Sequence, residues 1–264
     1  MATQTLARGS GDTVRQLSNI FALGAVLTIN ALANILPING QTTGEISDSF
    51  NSLVTPAGYV FSIWGVIYAL LAAFAVYQAL PAQKNNLRLR TLGYAFVWSC
   101  VFNFSWIIVW HYNLYLLSLV CMLGILASLI ICYQRLGTGQ TEVSRAEYFA
   151  VRLAFSVYLG WITAATILNI TVVLLSFGIT GGAAGPVWGA LVVLAALGIA
   201  TTVLFRREDL AYALVLVWAF VGIAVAELNI TPLVVAVSLI AAAVLAGLTL
   251  WRGFQRNQGA LAGV

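Results

Sequence analysis

Charge is what this chain has least of. Only 8% of its 264 residues are Asp, Glu, Lys or Arg, against roughly 25% in soluble domains, so it cannot clothe itself in a charged surface. Cysteine is scarce too: Cys100, Cys121 and Cys132 all fall in apolar stretches, without metal-ligand spacing or a disulfide framework. His111 is the only histidine, which excludes His-pair metal motifs. There is no Ser/His/Asp set, no phosphate-cradling glycine loop and no pair of carboxylates within an apolar stretch, so the chain is not expected to be an enzyme. The apolar stretches also hold almost no ionisable groups, which argues against a proton pump or an ion-coupled transporter. No internal repeat marks inverted halves.

What is present is hydrocarbon. Hydrophobic residues make up 61% of the chain and the mean hydropathy is +0.97. Apolar runs of about 20 residues, long enough for a ~30 Å hydrocarbon core, recur along it. They predict an all-α integral membrane protein with eight transmembrane helices, near 18–36, 58–80, 91–110, 114–133, 149–175, 187–205, 210–226 and 230–251.

In this eight-span arrangement Arg8, Arg15, Lys84, Arg88, Arg90, Arg135, Arg145, Arg152, Arg206, Arg207, Arg252 and Arg256 all fall on one side, while the other carries only Glu45, Asp48 and Glu227. The positive-inside rule makes the basic side cytoplasmic, with both termini on it. The net charge of +4 is thus a topology signal, and no nucleic-acid partner is expected. The first span is expected to be retained as a helix, although Arg8, Arg15 and the small residues Ala31 and Ala33 have the look of a signal peptide. Residues 1–17 and 253–264 read as cytoplasmic tails.

Polar and aromatic residues fall in stripes. Asn30 and Asn34 are one helical turn apart; Ser99, Asn103, Trp106 and Trp110 follow at steps of four, three and four; Tyr158, Trp161, Ala165 and Asn169 follow at three, four and four; Phe61, Trp64 and Tyr68 at three and four. Such spacing puts each set on one helix face. An amide in hydrocarbon is costly unless bonded, so these faces are expected to point inward. Most of them lie in the outer half, beneath an outer loop at 38–57, and aromatic walls with a few amides suit a flat π ligand. His111 is expected at the outer interface, bonded to solvent. "LIICYQR", ending at Arg135, reads as an ordinary helix end with Tyr and Arg at the inner interface.

The stretch "PAGYVFSIWGVIY", which begins at Pro56, resembles the second-helix segment PPxWVFxxxWxxLY of the TspO/MBR family, the tryptophan-rich sensory proteins that include the translocator protein or peripheral benzodiazepine receptor. "NFSWIIVW" and "YLGWITAATILN" are similar to the family's third-helix Asn-x-x-Trp and fifth-helix Tyr-x-x-Trp patterns. The resemblance covers the first five spans. It implies a TspO-like five-helix ligand-binding bundle at 18–177 and leaves 178–252 as three additional helices.

It also implies binding of a tetrapyrrole (porphyrin, haem or bacteriochlorophyll precursor) or a sterol-like molecule, in a sensory or regulatory role linked in some bacteria to photosynthetic pigment metabolism. No obligatory cofactor or metal is expected. The candidate ligand-binding residues are Asn30, Asn34, Tyr59, Phe61, Trp64, Tyr68, Asn103, Trp106, Trp110, Tyr158, Trp161 and Asn169. Position 59 is Tyr where the family commonly has Trp, and the outer loop lacks the family's Trp-Tyr and Lys-Pro. Two other roles fit the same sequence. One is an accessory subunit whose small-residue helices, with Gly185 and Gly189 one turn apart, pack on a homo-oligomer or a larger membrane assembly such as a pigment-protein complex. The other is uncoupled transport of small hydrophobic molecules. A bacterial inner (plasma) membrane is the expected location.

Overall fold

The computed structural model describes residues 2–36, 38–182 and 185–262, and all regular structure among them is helical. The long helices are α1 (Ala2–Ile35), α2 (Ile63–Ala79, entered through a 3-10 turn at Gly58–Ser62), α3 (Ala95–His111), α4 (Tyr115–Arg135), α5 (Leu153–Ser176), α6 (Gly185–Arg207), α7 (Leu210–Ala226) and α8 (Pro232–Ala262). Each predicted apolar run lies on one of them. Six helical stretches are long and apolar enough to cross a membrane, while Ala95–His111 and Leu210–Ala226 are shorter apolar helices of 17 residues each. Large apolar side chains such as Phe21, Val66, Leu250 and Phe254 stand exposed on these helices, as lipid-facing residues do. The chain is an integral membrane protein.

The tails differ from expectation. α1 starts at Ala2, and Asp12, Arg15 and Gln16 are buried in place of fraying. α8 likewise continues to Ala262. No proline interrupts either segment, so the helical hydrogen-bond ladder of each span simply propagates.

The chain divides into two compact units: Met1–Ile46 with Trp64–Leu159, and Ser47–Ile63 with Gly160–Val264. The parting therefore falls after Leu159, inside α5, and after Ile46, inside the outer loop.

In the first unit α1 packs on α3 and α3 on α4. Its centre is a triangle of fully buried rings: Phe74 of α2, Phe96 of α3 and Phe155 of α5, meeting edge to face with centroids 5.1, 5.1 and 5.7 Å apart. Such contacts add about 0.5–1.5 kcal/mol each beyond burial. Nearer the basic ends, Gln16 donates Nε2 to the carbonyl of Gln78 (2.6 Å) and Gln78 donates Nε2 to that of Gln16 (3.0 Å), tying α1 to α2. Arg88 forks onto Glu147 through Nε (2.6 Å) and Nη2 (3.0 Å), and Arg90 pairs with Asp12.

In the second unit α7 packs on α8 and both contact α6. Glycines set the distances. A Cβ at Gly189 would lie 3.1 Å from Val234 and 3.2 Å from Leu53, and one at Gly160 would lie 3.1 Å from the Tyr212 carbonyl oxygen. The Gly185 and Gly189 faces are thus covered by residues of this same chain. At Gly222 a Cβ would lie only 2.2 Å from Val60 Cγ2 and 3.0 Å from Pro56 Cβ.

Candidate functional site

The amides of the first unit converge. Asn30 of α1 donates Nδ2 to Asn103 Oδ1 of α3 (2.9 Å), and Asn103 donates its own Nδ2 to the Tyr158 hydroxyl of α5 (3.0 Å). All are buried. The chain of bonds has a direction: each amide gives a hydrogen onward, so the Tyr158 oxygen is an acceptor that still carries a hydroxyl hydrogen to give. Asn30 Nδ2 is also held by the Val26 carbonyl (2.9 Å), which fixes the first donor in place.

Against this polar line lies an aromatic one. The Trp64 ring meets Tyr158 at 6.0 Å and 65°, and stacks on Tyr68 at 5.4 Å and 26°. Trp64 and Tyr68 are both half-buried, so of the rings around the amides these two keep surface that a ligand could cover. The i, i+4 spacing on α2 produces the stack.

Further along α3, Trp106 and Trp110 stack at 5.3 Å and 21° and are buried. The outer loop closes over them. Trp110 donates Nε1 to the Thr43 carbonyl (3.3 Å), and Asn39 donates Nδ2 to the His111 carbonyl (3.0 Å). His111 is fully buried, a correction to the expected solvent contact. Its Nδ1–H donates to Ile107 O (2.7 Å), because a carbonyl can only accept, and that leaves Nε2 to accept from the Thr43 hydroxyl at 3.5 Å. The short helix Thr43–Asp48 that makes this lid is held by a capping box: Glu45 accepts from Thr42 N (2.7 Å) and Oγ1 (2.9 Å) and returns its own N–H to Thr42 Oγ1 (3.3 Å). These bonds to the carboxylate hold Glu45 below its usual carboxyl pKa.

Asn34 does not face inward as expected. It is exposed and donates Nδ2 back to the Asn30 carbonyl of its own helix (2.8 Å). The buried stripe of α1 runs through Val26, Asn30 and Ala33, so position 34 falls at its edge and the amide satisfies itself locally.

Tyr59, Phe61, Trp161 and Asn169 belong to the second unit. Phe61 meets Trp161 edge to face at 5.7 Å, and Trp161 and Asn169 are buried. Tyr59 is 45% exposed and sets its ring against Trp218 of α7 at 5.3 Å and 81°. Trp218 donates Nε1 to the Val60 carbonyl (3.1 Å), and Ala57 N–H donates to that of Gly222 (3.0 Å). The Pro56–Phe61 motif is therefore docked on α7. Sequence reading missed Trp218 and Gly222, one turn apart in a helix that looks uniformly apolar; that lone pair was the available signal. Gln16, Asn19 and Gln78 are buried too, toward the opposite ends of the helices.

Among the described residues no group of His, Cys, Asp or Glu could hold a metal ion. The arrangement sets the half-buried rings of Trp64 and Tyr68 beside the buried Tyr158 hydroxyl.

No curated protein and no solved structure matches the chain. The family model described as TSPO-like protein matches residues 16–251. The match runs from α1 into α8. The chain belongs to the TSPO-like protein family.

Proposed function

We propose that this protein is a membrane sensory or regulatory protein that binds a flat hydrophobic ligand, foremost a tetrapyrrole, against Trp64 and Tyr68 in the outer half of the bundle. The observation that supports this most is the directed line Asn30–Asn103–Tyr158 ending beside a half-open stack of rings. A porphyrin or a related planar molecule would lie on the Trp64–Tyr68 pair and accept from the Tyr158 hydroxyl. Trp106 and Trp110, buried under the Thr43 lid, would hold that end of α3 in place.

The reading includes eight spans. At 1.5 Å per residue the two 17-residue helices reach about 25 Å, the short end of what spans a bilayer. Eight crossings alone put every Lys and Arg on one side, with both termini there, as in a bacterial inner membrane protein. The accessory-subunit reading loses its strongest sequence support, because Gly185 and Gly189 face Leu53 and Val234 of the same chain.

The test is a titration of the purified full chain in detergent with protoporphyrin IX and with haem, read by ligand absorbance and Trp quenching. Wild type should bind saturably. Losing one hydrogen bond in Tyr158→Phe should weaken binding by roughly fivefold, about 1 kcal/mol. Trp64→Ala should weaken it further, and Trp188→Ala, at an exposed position on α6, should leave it unchanged. No saturable binding, or equal losses in Trp64→Ala and Trp188→Ala, would defeat the proposal.

A further inference from the structure

Between α3 and α4, toward their basic ends, lies a groove of about 540 Å³ outside the site described above. Tyr94, Trp98 and Phe102 form one wall at i, i+4 and i+8; Ile131 and Ser128 form the other, with Arg135 at the mouth. The helices run antiparallel, so Tyr94 and Arg135 share one end. Phe102 closes the far end: its ring lies over Gly124, where a Cβ would come within 2.6 Å of it. From Tyr94 to Phe102 the groove runs about 12 Å along the axis, less than half of a ~30 Å hydrocarbon core and therefore within one leaflet.

The walls are apolar and open to lipid. Trp98 is 56% exposed, Tyr94 46% and Ile131 41%. Arg135 is exposed but not loose: Nη1 donates to the Leu92 carbonyl at 3.2 Å, where the chain turns at Gly93 with φ +59. A Cβ on Gly93 would lie 3.3 Å from that same nitrogen, so glycine lets the guanidinium rest on the backbone. Nη1 is anchored, and Nε and Nη2 remain as donors at the groove mouth. Tyr133, by contrast, is buried and does not face the groove, so the Tyr and Arg of "LIICYQR" do not act as one lipid-facing pair.

We propose that this groove binds an anionic phospholipid, with the headgroup phosphate on Arg135 and one acyl chain along Tyr94, Trp98 and Phe102. A fixed guanidinium at the interface with an aromatic slot running inward complements a phosphate joined to a hydrocarbon chain. A neutral sterol or a zwitterionic lipid would fill the slot without using the positive charge. The inference depends on the chain spanning a bilayer and not on tetrapyrrole binding.

The full chain is reconstituted into phosphatidylcholine vesicles carrying increasing fractions of dibrominated phosphatidylglycerol or dibrominated phosphatidylcholine, whose bromines quench nearby Trp. Brominated phosphatidylglycerol should quench at about a fivefold lower mole fraction, the worth of one interfacial arginine. Trp98→Phe should remove this component, and Arg135→Gln should bring the two lipids level. Arg145→Gln, an exposed arginine that does not line the groove, should keep the preference and so separates the groove from general attraction to anionic membranes. Raising the salt concentration should shrink the preference in the unaltered protein. Equal quenching by both lipids in wild type, a preference that survives Arg135→Gln, or a component that survives Trp98→Phe would each overturn the proposal. So would a brominated sterol that phosphatidylglycerol does not displace.

Discussion

Replacing Gly222 by alanine sets two effects of known size against each other. In the middle of a helix, alanine is favoured over glycine by about 1 kcal/mol, so without neighbours the change would stabilise α7. The neighbours decide otherwise: the new methyl would sit 2.2 Å from Val60 Cγ2 and 3.0 Å from Pro56 Cβ. Val60 is fully buried and its segment is tied down by Ala57 N–H to Gly222 O (3.0 Å) and Trp218 Nε1 to Val60 O (3.1 Å). Relief therefore requires the segment to lift, giving an overpacking cost of about 1–3 kcal/mol and weakening two hydrogen bonds worth about 1 kcal/mol each. The net expectation is a loss of about 1–3 kcal/mol once the helix gain is subtracted. Gly198 in α6 has nothing within 4 Å, so Gly198→Ala should stabilise by up to about 1 kcal/mol. Both are measured by reversible unfolding in mixed micelles, with Val60→Ala and the Val60→Ala/Gly222→Ala pair completing a cycle. Removing the Val60 methyls makes room, so the pair should be less damaged than the sum of the singles by at least about 1 kcal/mol. If Gly222→Ala behaves like Gly198→Ala and shows no coupling to Val60, the docking of the Pro56 segment on α7 is wrong.

Asn103→Leu should cost about 1–3 kcal/mol of unfolding free energy, because it strips the Tyr158 hydroxyl of its donor in a buried place. Asn103→Leu/Tyr158→Phe should recover much of this, and a double variant as damaged as the sum would argue against a shared bond. At the capping box the sign follows from the lowered Glu45 pKa: the ionised carboxylate stabilises the turn above the unfolded-state value of 4.5, and this contribution is lost as pH falls through the lower folded-state value. Hydrogen exchange at the Thr42 amide should accordingly lose protection on acidification below the unfolded-state value of 4.5, while Glu45→Gln should begin less protected and change little; equal acid response in both would refute it. Arg88→Ala leaves Glu147, 5% exposed at its side chain, with a hydrogen bond from Asn86 at 3.4 Å and the charge of Arg152. A loss of about 1–3 kcal/mol is expected, discounted because Arg88 itself is 41% exposed. Arg88→Lys should recover only part of it, since an ammonium cannot reproduce the fork, and full recovery in thermal melts would contradict the two-bond geometry.

Membrane residence and helix positions were legible from the sequence because they depend on local quantities: run length, hydropathy and where arginine falls. The spacing of Asn103, Trp106 and Trp110 likewise identified one buried face of α3, since a single helix fixes that relation. The same reasoning failed at Asn34, because the buried stripe of α1 passes through Asn30 and Ala33 and leaves position 34 at its edge. It failed again at His111, because burial there is made by Thr43 and Asn39 of a loop whose fold has no periodic signal. Trp218 and Gly222 were illegible for a related reason: a glycine in an apolar helix means close approach only once the approaching atoms are known.

By itself the sequence determined that this chain is a bundle of membrane-crossing helices, which of their faces are polar, and that "PAGYVFSIW" is a motif. Only the tertiary structure decided the partners: that Asn30, Asn103 and Tyr158 share one line of hydrogen bonds, and that the motif docks on α7. Hydropathy and helical phase are properties of neighbours in the chain. A hydrogen bond between residues 73 positions apart, or a methyl-sized space between helices, depends on how separate segments pack.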